Sequence, residues 1–159
     1  MLNSEDAVVV TETGEGAFQV RVETGDHSFL MDEPKAVGGL SSGPSPFDML
    51  CAALASCTLM TMKLYAARKG WQLTGLGVRV AHRKCSAEAR DQFERTIELG
   101  DANAEQRERL LYIAERCPVH LLLERGADVS TSEAAAELGA PKAEGLHEKV
   151  IDELCRDAA

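Results

Sequence analysis

Residues 45–70 read SPFDMLCAALASCTLMTMKLYAARKG, and the fold turns on how that stretch is taken. Ser45 ahead of Pro46 is a helix start: a hydroxyl suited to an orphan first-turn amide, then a ring that fixes φ and lacks an N–H that would go unused there. Arg68 and Lys69 favour the negative end of a helix dipole, and Gly70 is a matching stop. A helix over this interval is about 35 Å long. Its first half is apolar on every side, which a surface helix does not tolerate, so the pattern predicts a buried central helix. The uncharged part, residues 49–62, is shorter than the roughly 20 apolar residues that cross a bilayer, so a core helix is expected rather than a membrane span.

Upstream, residues 8–10, 18–22 and 27–31 alternate apolar and polar side chains around a Thr24-Gly25-Asp26 turn, the pattern of an antiparallel meander with one wet face. Between them and the helix, DEPKAVGGLSSGPSP (residues 32–46) is rich in Gly, Pro and Ser and predicts a long ordered loop or lid. Downstream, residues 73–84 and 93–99 alternate as two further strands. A second helix is expected over 104–116, with Leu110, Leu111 and Ala114 at helical spacing and Glu105 in its first turn. Pro118 disfavours helix at Cys117 and can open a new one, which places Cys117 at a helix N-terminus. Residues 127–131 are expected as a closing strand. The fold class is α+β, antiparallel sheets around a long buried helix, with one domain over 1–132. Residues 133–159 form an acidic, Ala-rich extension with a short helix carrying Leu146, Val150, Ile151 and Leu154 on one face.

With 159 residues, 45% apolar and 27% charged, the chain can bury one core. Its net charge of -9 argues against nucleic-acid and anionic-membrane partners, which require clustered Lys and Arg. The acidic N-terminus lacks the basic start of a secretory signal, and five cysteines without scaffold spacing suit a reducing compartment, so a cytoplasmic location is expected.

Two cysteines draw attention. Cys57 lies deep in the central helix, too far from its N-terminus for the dipole to activate it, and needs a cation or donor from another element. Cys117, at a helix start, has free backbone amides to favour a thiolate. One buried and one capping cysteine are the parts of a peroxidatic and resolving pair, and each also fits as a small core residue. Cys51, six residues before Cys57, falls on another helix face and reads as core. Cys155 reads as a bystander on the tail. His82 and Cys85 supply two metal ligands at most where a structural zinc takes four, so no metal is expected. His120 in CPVH is either a proton donor to a Cys117 leaving group or an ordinary helix-start histidine. No phosphate-binding glycine motif surrounds Gly38-Gly39, and no organic cofactor is expected.

GPSPFDMLCAALASCTLMTM (residues 43–62) resembles the helix-opening motif and reactive cysteine of the OsmC and Ohr family, and ERCPVH (residues 115–120) resembles its second cysteine motif. The wording is closer to a less characterised branch than to the Ohr enzymes, and the resemblance runs over about residues 8–131. It implies an intertwined homodimer with long helices back to back and active sites at the subunit interface. It also implies that Cys57 attacks an organic hydroperoxide, that Cys117 condenses with the resulting sulfenate, and that a dithiol reductant resets the disulfide. Where the family has a glutamate ten residues before the reactive cysteine, this chain has Phe47, and Asp48 beside it is the candidate substitute. For the family's arginine from the N-terminal strands, Arg21 is the nearest candidate. Rival readings are a module of the same fold that binds an apolar ligand or senses thiol chemistry, and a structural protein that docks a partner through its tail.

Overall fold

The computed structural model describes residues 7–84 and 86–139, which group into two compact units: 7–49 with 129–139, and 50–84 with 86–128. In the first, strands β1 (Val9–Glu12), β2 (Val20–Thr24) and β3 (His27–Met31) form an antiparallel sheet in that order. Thr24 pairs with His27, so Gly25-Asp26 is the two-residue hairpin loop expected from the sequence. Phe18 falls in the turn before β2 rather than in a strand, half of its surface exposed.

The loop after β3 is ordered around one carboxylate. Asp32 is buried, and its Oδ2 accepts from the Leu40 amide (2.9 Å), the Ser42 amide (3.1 Å) and the Ser42 hydroxyl (2.8 Å). Gly39 passes so close to the carbonyl of Glu33 that a Cβ would collide with it. Burial pushes the Asp32 carboxyl up, but the hydrogen bonds from Ser42, Glu33 and Leu40 outweigh it and hold the group below its ordinary 3.8.

Helix α1 runs over Pro46–Arg68. The Ser45 hydroxyl accepts the Asp48 amide (3.2 Å), while Asp48 Oδ2 accepts the Ser45 amide (3.0 Å) and hydroxyl (2.7 Å), a reciprocal N-terminal cap. Its 23 residues are long and apolar enough to cross a bilayer by length and composition, a longer run than the uncharged stretch 49–62 implied. In the second unit, however, the helix serves as a core element. Hairpin β4 (Leu76–Arg83) and β5 (Gln92–Leu99), helix α2 (Ala104–Ala114) and helix α3 (Pro118–Arg125) pack around it. Met62, Tyr65, Leu99, Leu110, Ile113 and Ala114 make one buried cluster, supported by Trp71, Leu76, Val78 and Ile97. Each fully buried side chain of this size stabilises the fold by about 1.5–3 kcal/mol before entropy is counted. Asn103 and Gln106 close a capping box at the start of α2, and Gly100, at φ +49 against the Thr74 carbonyl, is a position that only glycine suits.

One chain covers α1 only in part, as its all-round apolar character leads one to expect: Leu54, Cys57 and Met62 are buried, while Phe47, Leu50 and Met60 are exposed. Two expectations need correction. Residues 127–131 are irregular, and Val129 stands 89% exposed, since a strand exists only where a neighbour supplies the other half of its ladder. Residues 133–139 of the extension form no helix, and the helix face expected from Leu146 to Leu154 lies outside the described residues.

Candidate functional site

Cys57 and Cys117 come together. With Leu54 they form a second buried cluster, walled by Val80, Phe93, Val119 and Leu123; Cys57 is 3% exposed and Cys117 not at all. Both thiols are free, and they lie close enough that the ionisation of each depends on the other.

The local fold explains the asymmetry between them. Helix α2 stops at Ala114, and Pro118 opens α3 with Cys117 as its N-cap residue, at φ -58 and ψ 130. The first amides of α3, those of Val119 and His120, have no intrahelical acceptors and lie near the two sulfurs, although the Cys117 side chain does not cap the helix by a hydrogen bond. The acidity of Cys117 is increased first by the Cys57 thiol, then, against burial, by the His120 amide, the Thr58 hydroxyl and the Val119 amide, which together hold it down at about 5. Cys57 moves the other way, above its ordinary 9.0, chiefly because its proton is held toward Cys117 and then because it is buried. The two thiols are thus shifted in opposite directions, and the cause that leads both shifts is their mutual proximity.

A cation stands beside the pair, on a strand where the sequence reading did not seek one. Arg95 of β5 is 9% exposed at its side chain. Its Nη1 donates to Thr58 Oγ1 (2.9 Å) and to the Ala114 carbonyl (3.1 Å), and its Nη2 pairs with Glu115 Oε1 (2.7 Å). Leu54, Phe93, Arg95, Glu115, His120 and Leu123 also line an open cleft of about 380 Å³, so the apolar wall of the cysteine cluster is a wall of that cleft.

The other sequence candidates have other partners. Asp48 is engaged in the cap of α1, and hydrogen bonds from Ser45 hold its carboxyl below 3.8. Arg21 is exposed on β2, with Nη1 3.5 Å from the Ser28 hydroxyl. Both belong to the first unit, the cysteine pair to the second. The His120 ring pairs with Glu115 (3.3 Å) and Glu124 (3.5 Å). Cys51 is half-buried. His82 Nε2 lies 2.7 Å from Asp91 Oδ1; Cys85 and Cys155 lie outside the described residues. Among the described residues, no group of three or more His, Cys, Asp and Glu side chains is placed to hold a metal ion.

An α+β chain with a buried cysteine pair, one cysteine inside a long helix and the other at a helix start, defines a class of proteins whose two sulfurs are set within one core. Residues 39–132 match the model of the OsmC-like protein family, and the chain belongs to that family, which includes the OsmC and Ohr proteins. Solved structures share the fold. An osmotic stress induced and detoxification response protein from Psychrobacter arcticus is 20% identical over 72% of this chain and 85% of its own, with a TM-score of 0.60. An organic hydroperoxide resistance protein OsmC from Legionella pneumophila is 18% identical, covering 77% and 90%, with a TM-score of 0.56. The organic hydroperoxide resistance protein OhrB of Bacillus subtilis is 20% identical, covering 72% and 88%, with a TM-score of 0.51. No curated protein matches the chain by sequence.

Proposed function

We propose that this protein is a thiol-dependent peroxidase that reduces organic hydroperoxides through Cys57 and Cys117. The observation that carries the reading is that two free, buried cysteines sixty residues apart pack into one cluster, one of them at the start of a helix. As Cys57 attacks the distal peroxide oxygen, its proton passes to Cys117; the O–O bond breaks, Cys57 becomes a sulfenic acid, and the departing alkoxide takes the proton back from Cys117 as an alcohol. The Cys117 thiolate then attacks the Cys57 sulfur and expels the sulfenic oxygen as hydroxide, which takes one proton from buffer acid in the solvent and leaves as water, giving a disulfide. A dithiol returns the two electrons. The apolar wall of Leu54, Phe93 and Leu123 favours an apolar or amphipathic hydroperoxide. Asp48 and Arg21, assigned as helpers by resemblance, take second place to Arg95 and Thr58, and a cation beside the pair removes the ground for a ligand-binding module without turnover.

Exposed Phe47, Leu50 and Met60 on α1 further support a homodimer in which a second copy covers this helix. Free thiols suit the cytoplasm. The test is intact-mass thiol counting after one equivalent of cumene hydroperoxide. Wild type should lose two thiols rapidly, Cys117→Ser should hold a sulfenate, and Cys57→Ser should be inert; slow, unselective oxidation of all three would sink the proposal.

A further inference from the structure

We infer that helix α3 is the movable wall between the open cleft and the cysteine pair, and that Arg90 is its latch. The inference rests on the peroxidase reading for its use, but not for its test. Its starting point is access. Cys57 is 3% exposed and Cys117 not at all, so a molecule in the cleft touches neither sulfur while the wall is closed. Three side chains line the cleft and the cysteine cluster alike: Leu54, Phe93 and Leu123. They stand on elements of unequal strength. Leu54 is buried within the 23 residues of α1. Phe93 belongs to β5, which pairs with β4 from Leu76↔Leu99 to Arg83↔Gln92, and moving it outward breaks that ladder. Leu123 stands on α3, 8 residues long with none of them buried, and a helix this short has little stability of its own. Of the three, α3 is the element that yields first.

The two ends of α3 differ. Its N-cap residue, Cys117, is fully buried in the cluster, whereas its C-cap residue, Gly126, has φ +78, a backbone that favours glycine, and residues 126–128 are exposed and irregular. Opening therefore pivots on the Cys117 end and lifts Leu123 and Glu124. The latch sits at that moving end: Arg90, two residues ahead of β5, donates from Nη2 to the Glu124 carbonyl (2.9 Å). That carbonyl belongs to the last turn of the helix, where no later amide of α3 reaches it. A second tie, from the His120 ring to the Glu115 side chain (3.3 Å), holds the pivot end instead. Val119 packs on the cysteines one turn before Leu123, so these two side chains form the inner face of the wall. The competing account makes Arg90 an exposed contact of no consequence, as many surface polar pairs are. It predicts that loss of Arg90 changes neither the opening of α3 nor the reach of a reagent.

The two accounts separate on the reduced full chain, without peroxide. Amide hydrogen exchange reads the opening of α3. Alkylation by iodoacetamide, a small neutral reagent, mapped peptide by peptide, reads access to Cys57 and Cys117 apart from the other cysteines. Arg90→Met should speed both by about 3- to 10-fold, while the amides of α2 and β5 and the urea midpoint stay as in wild type. Arg90 is exposed and lies outside both core clusters, so the variant keeps the packing that folds the chain. Unchanged exchange in α3, or unchanged alkylation of Cys57, overturns the latch. An equal acceleration in α2 and β5 also overturns it, because the cysteines would then be reached by global unfolding. Faster exchange and alkylation in Arg90→Met, with a wild type inert to cumene hydroperoxide, keep the latch and remove the peroxidase; an active peroxidase with unmoved rates does the reverse.

Discussion

At the scale of single residues, Cys57 and Cys117 are shifted from their ordinary value in opposite directions. The consequence extends to stability. Once unfolded, Cys117 titrates near its ordinary 9.0, whereas in the folded chain it titrates near 5. A group with a depressed folded value contributes stability that is complete above its unfolded value and is lost as pH falls through the folded one, so the window runs from about 5 to 9. Cys57 is shifted upward and acts only above that window, where rising pH returns part of the gain. The melting temperature of reduced wild type, measured against Cys117→Ser, should therefore climb from pH 5 to pH 9, and parallel curves for the two proteins would contradict the lowered value of Cys117. In the neighbouring cluster Leu110 has no exposed surface, and Leu110→Ala should cost about 2–5 kcal/mol in urea unfolding without moving the pH at which Cys117 titrates.

At the scale of elements, what was legible in the sequence is what local chemistry decides. Ser45-Pro46 and Gly70 bracket α1, Cys117-Pro118 separates α2 from α3, and Gly25-Asp26 turns β2 into β3, because each signal acts within a few residues of itself. Arg95 was readable in principle. Along β5 the inward positions are Phe93, Arg95, Ile97 and Leu99, so one of four side chains on the apolar face carries a charge, an arrangement that a strand accepts only when something beyond it binds that charge. The search for an arginine instead followed resemblance to Arg21. Asp48 carried the opposite signal: three residues after Ser45 it has the spacing of a helix cap, and capping is what it does. The mutual approach of Cys57 and Cys117, sixty residues apart, depends on how the hairpin, α2 and α3 wrap α1, which no local pattern encodes. The loop after β3 supplies a further test. Asp32→Asn keeps the shape but removes the charge that gathers the amides of Glu33, Leu40 and Ser42, so limited proteolysis should cut within residues 33–44 faster than in wild type, and equal rates would show that the backbone holds itself.

At the scale of the whole molecule, apolar surface on α1 calls for a partner. Sedimentation should give twice the chain mass, and Met60→Glu, at a position 57% exposed, should shift it toward the monomer; a monomeric wild type would overturn the homodimer. The chain also contains one tryptophan, Trp71, whose ring meets Tyr65 edge-on with centroids 5.7 Å apart at the margin of the larger core cluster. It is therefore a built-in optical label for the second unit alone, while far-ultraviolet dichroism sums strands and helices from both. Heating one sample under both detectors reveals whether the N-terminal sheet melts in step with the thiol-bearing core: coincident curves mean a single cooperative body, and an earlier dichroic loss means that the sheet can open while the cysteines stay sealed.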